Sequence, residues 1–435
     1  MSLLFNGIEN LRRVFPIILI IAFVMLVYIN FYLVPYIEGQ KEYKRITSHI
    51  QVIENKLNFK LATRYASVLT IAKNFPSPSN YDNWVLTEDV KLNDAKLLNL
   101  IISGPMNKRV KISLGDNNYV YNVIFINIDV EIAGSSNILY KVKIDGNNSS
   151  PYGLRILGNN NIIYEIDIQN VGIGVEIYSS NNTLMKFNIT NVGRGPVKES
   201  PKLISIKNGN DNIVSLGYGK APYSNWGIYV EGGAENIIHN VTITSAHNYF
   251  KFGDVKTLYL IMPKAIREEG MYGDDYFEGN AIEGGEIYVF EPTATSSGTE
   301  AFILGGGNFT FYIVKPKFYK NQGLFSFTNP NNLTLIIVNG SLSLIETSTW
   351  YRSIITHGVR MILICSRVTL LDFYTQGGII ESLPEPLWLV IVVSSMQDYG
   401  ALLFLTIIIF VVPTSIMKYI IRRQRKSKNE GNERI

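Results

Sequence analysis

Short stretches in which every second residue is apolar recur through the middle of this chain, while long unbroken apolar runs lie at its two ends. The alternating stretches, such as Leu154-Arg155-Ile156 and Ile166-Asp167-Ile168, are three to five residues long and rich in β-branched side chains. That is strand periodicity, too short for a helical repeat, and Gly/Asn/Ser turns separate the stretches. The pattern also repeats. Gly153–Val171 (GLRILGNNNIIYEIDIQNV) aligns without a gap on Gly174–Val192 (GVEIYSSNNTLMKFNITNV) at an offset of 21, and Val130–Ile144 fits the same frame 24 residues upstream. Ile204–Val214 and Ile228–Ile238 are again 24 apart, as are Ile303–Phe311 and Phe327–Leu335. One such unit cannot bury its apolar face alone, but stacked neighbours form a continuous core. The expected fold class is therefore all-β, a right-handed parallel β-helix in which each period is one coil.

One asparagine marks each period: Asn137, Asn161, Asn182, Asn212, Asn236, Asn308 and Asn332, at spacings of 24, 21, 30, 24, 72 and 24. The gap of 72 is three times 24 and is read as two coils without a marker. These asparagines are expected to stack in the turns and to hydrogen-bond one coil to the next; ligand binding is the alternative. Stacking places Val130, Leu154, Val175, Ile204 and Ile228 in one inward ladder, with Ile132, Ile156, Ile177, Ile206 and Val230 beside it. The outward row between them reads Glu131, Arg155, Glu176, Ser205, Tyr229, and Lys143 falls over Asp167 on a second face. Opposite charges on neighbouring strands favour that register.

The apolar ends predict two membrane spans. Residues 14–36 carry no charge over 23 positions, and residues 399–421 form a second run; at about 1.5 Å per residue each crosses a roughly 30 Å hydrocarbon core. The first exceeds a signal-peptide core and lacks small residues at its end, which favours an uncleaved anchor. Arg422, Arg423, Arg425, Lys426 and Lys428 follow the second run, and Arg12 and Arg13 precede the first, so both termini are expected in the cytoplasm. The division is then a cytoplasmic N-terminus (1–13), a first transmembrane helix (14–36), a juxtamembrane amphipathic helix (41–75), an extracellular β-helix (80–398), a second transmembrane helix (399–421) and a basic cytoplasmic tail (422–435). Asn-x-Ser/Thr sequons at Asn147, Asn148, Asn181, Asn188, Asn240, Asn308, Asn332 and Asn339 all fall in the outside part, as expected of a glycoprotein. Ile46, Ile50, Ile53 and Leu57, continued by Leu61 and Val68, define the juxtamembrane helix. It is read as a stalk or a cap on the first coil, with a dimerising coiled coil as the alternative.

The Asn-Ile-Ile-x-x-Ile-x-Ile units and Gly-Asn-Asn turns resemble the repeats of NosD-like and carbohydrate-binding and sugar-hydrolase (CASH) β-helix proteins of the pectin-lyase-like superfamily. The resemblance covers Val130–Ile243 and Ile303–Leu335 best. It implies the fold and a carbohydrate-related role, on a scaffold that hosts lyases, hydrolases, adhesins and structural proteins alike. The Ile- and Tyr-rich composition, near-absence of Cys and two-pass frame resemble archaeal surface proteins.

Composition then narrows the chemistry. With 46 % hydrophobic residues, 17 % charged and a net charge of +4, the chain is neither disordered nor endowed with a nucleic-acid footprint. The single cysteine, Cys365, excludes a disulfide framework or multi-Cys metal centre, and the four histidines are scattered. Glu131, Arg155 and Glu176 are the best candidates for a lyase or hydrolase centre, since glycoside cleavage needs paired carboxylates; the competing reading is a salt-bridge ladder. The paired-Asp and His-Gly elements of polygalacturonase-like hydrolases are not found in order. Tyr218, Tyr223, Trp226 and Tyr229, with Tyr249 and Phe250 nearby, could stack on sugars or be ordinary strand and core residues. Asp274, Asp275 and Glu278, in an acidic Gly-rich stretch, suit Ca²⁺ or a solvated loop; no other cofactor is expected. The leading expectation is a non-catalytic surface protein that binds or organises extracellular polysaccharide or a surface-layer protein. A membrane-tethered lyase or hydrolase, and an accessory subunit of a membrane complex, are the alternatives.

Overall fold

The computed structural model describes most of residues 34–338, together with 19–28 and short strands between 341 and 383. The chain is an all-β parallel solenoid. An eleven-stranded sheet (sheet 2) begins with Val90–Leu92 and ends with Gly323–Asn331, and a nineteen-stranded sheet (sheet 1) runs from Asp82–Val85 to Ile379–Leu383. Every described pairing is parallel, and the registers follow the repeat: Val130 pairs with Leu154, Leu154 with Val175, Val175 with Ile204, and Ile204 with Ile228. These side chains are at most 1 % exposed and belong to one core that runs the length of the coils. Parallel strands must bury the face that one coil alone leaves wet, which is why the alternation shows in short runs and not in long ones. Lys143 lies against Asp167 as the period demands.

The long strands of sheet 1 bend at a stacked corner. Lys141, Glu165, Lys186, Leu216 and Asn240 are each held in the left-handed region, with φ between 47° and 55°. Pairing resumes after the bend, so Met185 opposes Tyr164 and Phe187 opposes Ile166 with Lys186 and Glu165 left out of register. Non-glycine residues pay roughly 1–2 kcal/mol for that conformation, which the stacked strands on both sides impose.

The helix α1 (Val34–Asn74, 41 residues) lies lengthwise along the outer face of sheet 1. That differs from a stalk or an end cap, and its bounds differ from 41–75. The reason is on the sheet: Ile213, Ile237, Tyr259, Tyr288, Tyr312 and Ile336 form an outward apolar stripe, which Ile46, Ile50, Ile53 and Leu57 cover. Val68 continues the contact onto Tyr121, Tyr140 and Tyr164. Beside this seam, Lys56 pairs with Glu235 (2.6 Å), Lys60 with Asp211 (3.2 Å), and Arg64 donates to the Asn181 side chain (3.2 Å). Lysine and arginine one helical turn apart thus meet acceptors one coil apart, since a turn rises about 5.4 Å and strands lie about 4.8 Å apart.

No helix among the described residues is long and apolar enough to cross a membrane. Of the first apolar segment, residues 19–28 are described as helix and 34–36 open α1; the large side chains of the former are exposed, Phe23 by 66 % and Leu26 by 61 %. Residues 399–421, with 1–13 and 422–435, lie outside the described residues.

Candidate functional site

The outer row of sheet 2 contains Glu131, Arg155, Glu176, Ser205 and Tyr229 in consecutive register. The geometry joins Arg155 to one of the two glutamates. Its Nε and Nη2 donate to Glu176 Oε2 at 2.9 and 2.8 Å, and the Tyr178 hydroxyl donates to Oε1 at 3.1 Å. Glu176 is 2 % exposed. Glu131 instead receives Lys111 Nζ (3.1 Å) and the Ser113 hydroxyl (3.4 Å) from the preceding strand. Both carboxylates are thus tied into ion pairs, a strong charge-assisted arrangement for the buried Glu176.

Arg155 also lies over the Tyr152 ring at 4.0 Å. It forms the floor of a cleft of about 530 Å³ lined by Arg109, Pro151, Tyr152, Ile173, Glu176, Tyr178, Pro196 and Glu199. A second hollow of about 520 Å³, lined by Lys108, Asn127, Asn148, Ser149 and Arg194 among others, shares Arg109 and Pro196 with it. Burial, reinforced by the nearby Asp129 charge, pushes the Tyr152 phenol up to about 12. Asp129 is 5 % exposed; its Oδ2 takes a hydrogen bond from Arg109, while Oδ1 has no partner among the described residues. On the far wall, hydrogen bonds from Lys202 and Lys207 hold the Glu199 carboxyl down to about 2. Lys202 is nearly fully buried, its ammonium 5.2 Å from the Trp226 ring and 5.4 Å from that of Tyr229.

Trp226 and Tyr229 therefore lie together on this face, ring centroids 5.1 Å apart, with Lys251 over Trp226 at 4.5 Å. Tyr218 belongs to sheet 1, where its hydroxyl lies 3.0 Å from that of Thr244, so it does not join them. Tyr223 lies outside the described residues, and Tyr249 and Phe250 are core. Of the acidic stretch, Glu278 accepts from Lys251 and Asn248, each at 2.6 Å; Asp275 begins the strand paired to Asn248, and Asp274 lies outside the described residues. Among the described residues no three His, Cys, Asp or Glu side chains gather as a metal site would need. The sequon residues Asn147, Asn148, Asn188, Asn308 and Asn332 are exposed, Asn181 and Asn240 are half-buried, and Asn339 is not described.

Asn137, Asn161, Asn182, Asn212 and Asn236 form a buried column. The backbone N–H groups of the first four donate to the side-chain oxygen of the next asparagine at 2.8–3.1 Å. Asn118 starts that column by donating to Asn137; residues 115–126 repeat the frame of 134–145 at an offset of 19, shorter than the period of the other coils. Asn308 and Asn332 stand elsewhere: they are exposed, left-handed (φ 55° and 57°) and bonded to each other at 3.0 Å. Beyond Asn236 the column continues as Leu258, Ile287, Phe311 and Leu335. The interval of 72 thus spans two coils without a marker, those of Leu258 and Ile287, while Asn308 and Asn332 precede the column position by three residues.

Sequence reasoning missed Arg109, Asp129, Tyr152, Tyr178, Glu199 and Lys202. The signal for part of this set was the 30-residue spacing between Asn182 and Asn212. The extra residues carry Pro196 and Glu199, which line the cleft, and Arg194, which lines the neighbouring hollow.

No family model matches the sequence, and neither does any curated protein. Among solved structures, the catalytic domain of a GH87 α-1,3-glucanase in complex with nigerose is similar at 10 % identity and a TM-score of 0.30, over 69 % of this chain. The match spans 63 % of that chain's length. A likeness at that level carries no functional argument.

Proposed function

We propose that this chain is a membrane-anchored surface solenoid that binds an extended glycan along the outer face of sheet 2 without cleaving it. The observation that carries the reading is the cleft at Tyr152, Arg155 and Tyr178, continued along the axis by Trp226 and Tyr229. The Tyr178 ring, 39 % exposed, and the Trp226–Tyr229 pair two coils further on suit contact with separate sugar rings of one extended chain. The non-catalytic part rests on Glu176. Both its oxygens are engaged by Arg155 and Tyr178, leaving it poorly placed as a nucleophile or proton donor to a glycosidic oxygen. The anchoring part rests on the two apolar segments and their basic flanks.

The test is retention of the detergent-solubilised full chain on immobilised polysaccharides, with the chain length of the eluted glycan recorded. Retention with unchanged length, weakened several-fold by Tyr178→Ala, is expected. Shortened glycan would overturn the non-catalytic reading. No retention on any polysaccharide would overturn glycan binding and leave a protein partner, as for an accessory subunit.

A further inference from the structure

The direction of α1 along the solenoid fixes which end of the molecule faces the bilayer. The helix begins at Val34, inside the first apolar segment, and its early residues contact the latest coils: Tyr43 and Ile46 belong to the cluster that holds Val338, Ile362 and Ile364. Thirty-four residues on, Val68 packs against Tyr121 and Tyr140, in the earliest coils. At about 1.5 Å per residue that is roughly 50 Å of helix. The helix also contacts Ile379–Leu383, the last described strand, so the chain sets out toward its second apolar segment from the end where α1 begins. We infer that the solenoid stands on the membrane with its last coils toward the lipid and its first coil as the outer tip. Resting on the anchoring proposed above, the lipid-facing surface is the C-terminal end of the stack, and the Tyr152–Glu199 cleft is displayed in the outer half.

The alternative arrangement, a solenoid lying flat, would bring a side of the stack, and not its last coils, to the lipid. The buried seam of Ile50, Ile53 and Leu57 against Ile213, Ile237 and Tyr259 opposes the release that a freely swinging solenoid would need, because it holds the middle of α1 to the middle coils.

The experiment places a fluorescent donor at Met106→Cys, 82 % exposed near the first coils, or at Thr328→Cys, exposed in the last strand of sheet 2. These sites are about 40 Å apart along the axis at the usual strand spacing. Each is made in the full chain, in a Cys365→Ser or Cys365→Ala background, whichever keeps the wild-type circular dichroism. The chain is reconstituted into phosphatidylcholine vesicles carrying an acceptor-labelled lipid. Energy transfer at Thr328→Cys several-fold greater than at Met106→Cys is expected, whichever way the chain inserts. Equal transfer, or the reverse order, overturns the orientation while leaving the anchor intact. Failure of the unlabelled chain to float with the vesicles after alkaline carbonate overturns the anchor itself, and the orientation with it.

Discussion

Each buried asparagine of the column answers a specific need: a turn between strands leaves a backbone N–H pointing along the axis, and only the coil above can satisfy it. Asn161 takes the N–H of Asn137 and donates its own to Asn182, at 0 % exposure. Asn161→Ala orphans buried groups on two coils, so a loss of about 3 kcal/mol is expected by chemical denaturation. Asn308→Gly, at an exposed left-handed position, should cost less than about 0.5 kcal/mol; equal losses would sink the distinction. Residue type alone could not make it, because Asn serves both the buried column and left-handed turns. The corner at Lys141, Glu165, Lys186 and Leu216 was illegible for the complementary reason: none of these residues favours positive φ, and the bend is imposed by the strands around it. A third residue-scale expectation concerns His239, whose Nδ1 lies 2.9 Å from Ser215 Oγ and whose pKa burial lowers. Below its unfolded value of about 6.5 the unfolded chain binds a proton that the folded chain resists, so stability falls with pH from there down to the lowered folded pKa. His239→Gln should flatten the stability profile in that window; an unchanged slope would remove His239 from the account.

At the scale of elements, the apolar periodicity of α1 was readable, but its partner was not. Tyr259, Tyr288 and Tyr312 occupy outward strand positions where tyrosine is ordinary, and only their stacking, at 5.3 and 4.4 Å between ring centroids, makes a stripe that needs a cover. The strands themselves were legible because a two-residue period repeated coil after coil overdetermines the register. The cleft was not, since its walls come from Arg109 on one coil, Tyr152 on another and the inserted Pro196 and Glu199 on a third. Leu57 is 1 % exposed between helix and sheet. Leu57→Ala should therefore cost about 2–5 kcal/mol, whereas Lys60→Ala, which removes a partly exposed ion pair to Asp211, should cost under about 1 kcal/mol and lose that effect in salt. A larger loss at Lys60 than at Leu57 would mean that charge, not burial, docks the helix.

For the whole molecule, docking α1 along the side has a consequence that an end cap would not. In a bare solenoid each coil touches only its neighbours, so stability is a sum of local terms and unfolding can start at either end and stop part-way. Here one helix contacts strands from Tyr121 to Ile364, and no coil in that range can leave without uncovering part of the same apolar seam. The helix thereby ties distant coils to one another and should make unfolding a single cooperative step. Removing that tie calls for a substitution that undocks the helix but leaves the stacked coils their own core. Ile50→Asp with Leu57→Asp does this, because both side chains lie in the seam and not in the solenoid interior. Hydrogen exchange across a denaturant series is the measurement. In the wild-type chain, amides of Leu97–Ile102 and Leu333–Val338 should open at the same denaturant concentration; in the double variant their midpoints should separate, with circular dichroism still showing strand. Coincident midpoints in both proteins would mean that the coils are coupled through their stacking alone and that α1 merely covers them.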